Sequence, residues 1–181
     1  MNTPQFPVGG YVLESEPSRA RRAEWIDELE KTPEEVRNAV AALSADQLDT
    51  KYRNWTVRQI VHHIADSHMQ SYARFKWALT EDRPTIKPYD ESRWAALADS
   101  VVGEVGASLA LIDGLHARWV LLLRSLSDGD FQRTFHHPET GLSPRLDEVL
   151  GYYAWHARHH TGQIVWLRRN RGLGAVDNPN G

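Results

Sequence analysis

Between Val149 and Leu167 the chain places Val149, Tyr153, Ile164 and Leu167 at helical spacing, and the same stripe carries His156 and His160. Residues four apart on a helix stand one above the other, about 6 Å apart at the backbone. The two rings therefore point inward with the apolar stripe. A buried imidazole without a partner loses its hydration without return, so any fold of this chain must supply something for both rings to bind.

Three further segments keep a helical period. From Ser18 to Leu43 the apolar positions are Trp25, Ile26, Leu29, Val36, Val40 and Leu43. Within it, Thr32-Pro33-Glu34-Glu35 reads as a helix start, which predicts a kink or two helices end to end. Thr56, with Gln59 three residues on, caps a second helix that buries Val57, Ile60, Val61, Ile64 and Phe75 and stops near Leu79. A third covers about Ala107 to Leu126. The fourth takes Ser143 as its cap, ahead of Pro144, and ends near Gly172.

Between these segments, residues 44–54 read as a polar connection. Residues 84–106 form a long irregular one with a short helix around Ser92 to Leu97, and residues 131–137 one arm of a small hairpin around Pro138 to Gly141. Four amphipathic helices without strand alternation predict an all-α protein, a four-helix bundle. The connection between helices two and three is too long for a bundle turn, which calls for a crossover or a lid. The expected organisation is a single domain over residues 1–173 and a mobile tail over 174–181.

The 181 residues include no cysteine, which excludes thiolate ligands, disulfides and a cysteine nucleophile together. Any metal must sit on nitrogen and oxygen. The 21 basic and 24 acidic side chains leave a net charge of −3 without a long Lys/Arg run, so nucleic acid is not the expected partner. The first ten residues lack a signal-peptide pattern, and the longest strongly apolar run, Val120 to Leu123, is far shorter than a membrane span. The expectation is a soluble, cytoplasmic protein with no membrane partner.

Of the nine histidines, His63 lies on the inward side of the second helix, three residues after Ile60. Together with His156 and His160 it forms a candidate metal site, since bundle cores assemble such sites from facing helices. Three imidazoles leave a coordination position open, as in a catalytic zinc site. Zinc is the first expectation for this divalent ion, one per subunit, with nickel or iron as alternatives. His62 and His159 face about 100° round their helices and suit interhelical or surface hydrogen bonds. Asp66 and His68 are the candidates for a base or proton shuttle, while His116 reads as structural. Arg58, Arg74 and Arg118 would each touch an anionic substrate group only by facing a cavity mouth. There is no His-Glu-x-x-His, no phosphate-cradling glycine loop and no Gly-x-Ser-x-Gly elbow.

The stretch Asn54-Trp55-Thr56-Val57-Arg58-Gln59-Ile60-Val61-His62-His63, with Asp66-Ser67-His68-Met69 and Trp155-His156-Ala157-Arg158-His159-His160, resembles the DinB-like superfamily. The nearer likeness is its YfiT branch of metal-dependent hydrolases and bacillithiol transferases. The likeness runs from Pro7 to about Arg169. It implies an up-down-down-up bundle, a homodimer, and a divalent metal held by residues matching His63, His156 and His160, with Trp55 eight residues before the first. That topology accounts for the long connection, because helices two and three would run parallel.

The resemblance implies an S-transferase that joins a low-molecular-weight thiol such as bacillithiol to an electrophilic small molecule, the ion favouring thiolate over thiol. The alternative is a hydrolase using activated water, which needs Asp66 or His68 as base. A third reading is a metal-clamped bundle with no chemistry, serving protein contacts.

Overall fold

The computed structural model describes residues 2–174, so the predicted mobile tail lies outside the described residues from position 175 onward. Four long helices make the bundle: α1 (Arg19–Val40), α3 (Val57–Thr80), α6 (Val105–Ser125) and α8 (Leu146–Arg171). Short elements fill the connections: α2 (Ala45–Leu48), the two-residue strands β1 (Lys51–Tyr52) and β2 (Trp55–Thr56), α4 (Glu91–Ala95), α5 (Ala98–Val102) and α7 (Asp128–Phe131).

Cross-helix pairs fix the topology. Along α1 and α8, Trp25 meets Gly151, Glu28 pairs with Arg158, and the Ala39 carbonyl accepts from Arg168, so these helices run parallel. Along α3 and α6, His62 meets Ser108, His68 meets His116, and Phe75 packs on Trp119, again in parallel order. Helix α8 runs against α3, since His63 meets His156 while Ser67 meets Tyr153. Helix α6 runs against α1, where Arg37 pairs with Asp113 and Glu30 with Arg124. The order is up-down-down-up, with α1, α6, α3 and α8 following one another round the bundle.

The parallel pair α3 and α6 requires the crossover predicted from the length of the connection at residues 84–106, which spans residues 81–104. It holds two short helices, α4 and α5, where one was expected. Helix α1 is continuous, not broken at Pro33. Proline has no N–H to give the carbonyl four residues back, so Leu29 O lacks its helical donor.

Helix α8 starts at Leu146, three residues beyond the predicted cap at Ser143. The Leu146 N–H is taken by the Arg133 carbonyl, and Thr134 bridges Arg145, which keeps this approach extended. The Glu148 carboxylate then accepts from the Arg145 N–H and closes the first turn. The predicted hairpin is reduced to a bridge between His137 and Leu142, preceded by α7. The connection expected to be merely polar contains α2, closed by a Ser44/Gln47 capping box, and the β1–β2 ribbon.

Helix α6 is long and apolar enough to cross a membrane by length and composition alone. In the bundle its inward side buries Ile112, Trp119 and Leu123. Two apolar clusters fill the interior, one around Leu29, Phe75, Trp119 and Leu150, the other around Val36, Ile60, Ile112 and Ile164. Between them along the helices lies a polar layer that includes Thr32, Ser67, His68, His116, His156 and His160, all buried.

Candidate metal centre

The antiparallel run of α3 against α8 brings His63 to the pair His156 and His160. One ring nitrogen from each lies within 4.8 Å of the others, and all three residues are buried. The ring centroids are 5.2 Å apart for His63 and His156, 4.7 Å for His63 and His160, and 4.4 Å for His156 and His160. Trp55, on β2, stands 4.5 Å from the His63 ring and stacks on His160 at 6.1 Å, which limits where both rings turn.

Hydrogen-bond partners assign the tautomers. The bared Leu29 carbonyl accepts from His116 Nδ1 at 2.6 Å, which makes Nε2 of that neutral ring an acceptor. His68 Nδ1 donates to it at 2.9 Å, and His156 Nδ1 donates to His68 Nε2 at 3.3 Å. His156 is left with a lone pair on Nε2. Separately, His160 Nδ1 donates to Gln163 Oε1 at 2.9 Å, and Gln163 Nε2 donates to His159 Nε2 at 3.0 Å. His160 therefore also keeps its Nε2 lone pair.

The Nε2 atoms of His63 and His156 are 3.1 Å apart, a spacing that a proton or a cation must bridge when one of them is a lone pair. Two nitrogens on a tetrahedral zinc would stand about 3.3 Å apart, so these residues fit a divalent ion with little movement. Burial, followed by the neighbouring His159, lowers the pKa of His63 to about 4. Burial also lowers His156 and His160 well below the ordinary range, followed for His156 by the charge of His160 and for His160 by that of His63. Neutral rings are the form that binds metal.

His156 also lines a cavity of about 900 Å³, with Tyr11, Ser67, Arg74, Tyr89 and Tyr152 among its walls. Of the three clustered histidines, His156 is the one that lines this space. Among the described residues, no carboxylate belongs to the metal-ligating group.

Asp66 and His68, the expected base or proton shuttle, both lie off the cavity wall. Asp66 is not brought to the histidines: it is half-buried, its pKa is raised to about 6 by burial and then by Asp99 of α5, and it is absent from the cavity wall. His68 is fully buried with both ring nitrogens bonded to other histidines, an arrangement that orients His156 and keeps His68 off the cavity wall. His62 holds Ser108 and the Gly103 carbonyl, the interhelical role expected of it. Arg58 pairs with Asp49 and the Gly103 carbonyl, Arg118 lies over Tyr72, and only Arg74 of the three lines the cavity.

A family model for the DinB superfamily matches residues 28–164. The chain belongs to the DinB superfamily. A DinB relative from Bacillus subtilis, named "Putative metal-dependent hydrolase YfiT", is 47% identical over 169 residues, covering 92% of this chain and 95% of the relative. A similarly named protein from Bacillus cereus is 50% identical over 171 residues, covering 93% and 98%. The solved structure of YfiT from Bacillus subtilis, described as having "an unusual four-helix bundle topology", superposes with a TM-score of 0.90 at 47% identity over 92% of this chain and 97% of that one. The up-down-down-up order is thus carried by a DinB bundle with an experimentally determined neighbour.

Proposed function

We propose that this DinB protein is a metal-dependent enzyme that joins a low-molecular-weight thiol, of the bacillithiol kind, to an electrophilic small molecule. The observation that carries the reading is the convergence of three neutral imidazoles, with no carboxylate among them in the described residues, one of which, His156, lines a cavity. Held there, a divalent ion supplies Lewis acidity, which favours a thiolate or a hydroxide over its conjugate acid at neutral pH. Zinc is the first candidate, followed by nickel and iron.

The protein's own residues provide position and seclusion. His68 and Gln163 hold the two α8 ligand rings, and Tyr152 and Tyr153 wall the cavity next to His156. In the transfer, the sulfur lone pair forms a C–S bond as the bond from carbon to the leaving group breaks. The leaving group departs with its electron pair, and the thiol proton passes to solvent. No base beside the centre is needed for this, which suits a site whose histidines are engaged and whose Asp66 faces Asp99.

Hydrolysis is the second reading, favoured by the names of the relatives. Metal-loaded and chelator-treated protein should be compared for consumption of thiols with halogenated and epoxide electrophiles, and for cleavage of esters and amides. Metal-dependent loss of thiol is expected. Ester or amide cleavage with no thiol loss across the panel would reverse the ranking. We also propose a homodimer, tested by sedimentation equilibrium, and a cytoplasmic setting, tested by cell fractionation.

A further inference from the structure

The cavity beside His156 is lined by one arginine, Arg74, which forms no salt bridge with the carboxylates on the same wall. Arg74 is only 8% exposed, yet its Nε has no hydrogen-bond partner, and among the described residues its guanidinium makes no hydrogen bond or salt bridge. The other buried arginines have polar partners at their guanidinium groups: Arg22, whose Nε is also unpartnered, pairs with Asp128 and the Pro17 carbonyl, Arg58 with Asp49 and the Gly103 carbonyl, and Arg168 with the carbonyls of Ala39 and Ala41. An Nε withdrawn from water without a partner is costly, and the rest of the guanidinium opens on the cavity, where a ligand would complete it. A second group points the same way. Nδ1 of His137 is buried and unpartnered, on the wall of the same cavity and close enough to feel the charge of Arg74.

Arg74 and the metal ligand His63 belong to one stripe of α3. They are eleven residues apart, which is three turns and about 16 Å along the axis, with Ser67 between them on the same wall. Arg74 and His156 line the same cavity. We propose that Arg74 is the anion-binding residue of the cavity and that the substrate is a small molecule bearing a carboxylate several bonds from its reacting atom.

The planar guanidinium fork fits a carboxylate or a phosphate. Asp90, Glu91, Glu139 and Glu148 also line the cavity, and they oppose a doubly charged phosphate more than a single carboxylate. The proposal rests on reading the cavity as a substrate site, and not on whether the reaction is transfer or hydrolysis.

The test is binding without turnover. The metal-loaded full chain is titrated calorimetrically with 3-phenylpropanoate, with its neutral amide, and with inorganic phosphate, alongside Arg74→Gln and Arg74→Lys. The wild type is expected to bind the carboxylate at least tenfold more tightly than the amide or phosphate. Arg74→Gln should lose that preference, and Arg74→Lys should keep part of it at unchanged helix content. Equal binding of acid and amide by the wild type overturns the proposal. So does a preference that survives Arg74→Gln, which would place the carboxylate on the metal, or phosphate binding more tightly than the acid. Each result is read independently of any assay for thiol transfer.

Discussion

His156 donates its Nδ1 proton to Nε2 of His68 across 3.3 Å, and by doing so turns its own Nε2 lone pair toward His63. The bond joins a ligand-bearing helix to a ring that is itself held by His116 from a third helix. Partners of this kind fix the orientation of metal-binding imidazoles and raise their basicity.

Replacing His68 by Phe keeps the bulk of the ring and removes the acceptor. Metal affinity, measured by competition with a chromophoric chelator, is expected to fall by about 10–100-fold. One ion per chain should still bind at saturation, because the three ligands remain. Unchanged affinity would show that His156 needs no such support.

Alanine at His63, His156 or His160 is expected to abolish stoichiometric metal binding while leaving helix content near that of the wild type. His62→Ala should bind metal normally and lose about 1 kcal/mol or more of stability, since its bonds to Ser108 and the Gly103 carbonyl tie α3 to α6. Elemental analysis and urea unfolding separate the two effects. Full metal content in any one of the three ligand variants would remove that residue from the centre.

Acid should destabilise the fold below neutrality. Burial lowers the pKa of His116 from an ordinary 6.5 to about 4, against a smaller opposite effect of its bond to the Leu29 carbonyl. The unfolded chain therefore binds the proton first. The stability contributed by this neutral ring is full above pH 6.5 and is lost as pH falls toward 4, by about 3 kcal/mol for a separation of that size. Urea midpoints of His116→Phe and wild type across this range check it, the variant losing less stability on acidification.

Gly151 lets α8 approach α1. A Cβ at this position would stand 2.9 to 3.1 Å from ring atoms of the buried Trp25. Gly151→Ala is expected to cost about 1–3 kcal/mol through that overpacking. A parallel loss of stability with no change in metal stoichiometry would confirm that this packing is separate from the centre.

The convergence of the three histidines was legible because each position is set by helical period: 156 and 160 by their own spacing, 63 by its place after Ile60 on an inward stripe. The role of residue 68 was not. Five residues beyond His63, it faces about 140° round α3, and only the parallel packing of α6 supplies His116 as its partner. Asp66 is three residues from His63, and the electrostatic neighbour it meets is Asp99 of α5, which only the path of the crossover places there. For Arg74 the informative fact is the lack of a counter-ion, and that depends on every side chain around the cavity. The start of α8 shifted because long-range pairing of residues 134 and 145 overrode a local cap signal.

Pro33 gives the centre a dependence on α1, a helix that contributes no ligand. Because the imino acid leaves the Leu29 oxygen bare, a distant ring can claim it and set the proton pattern of two more rings beyond. A residue with an amide hydrogen at 33 would compete for that oxygen. The usual engineering step of removing a mid-helix proline to strengthen a helix would therefore risk detuning a metal site on other segments of the chain.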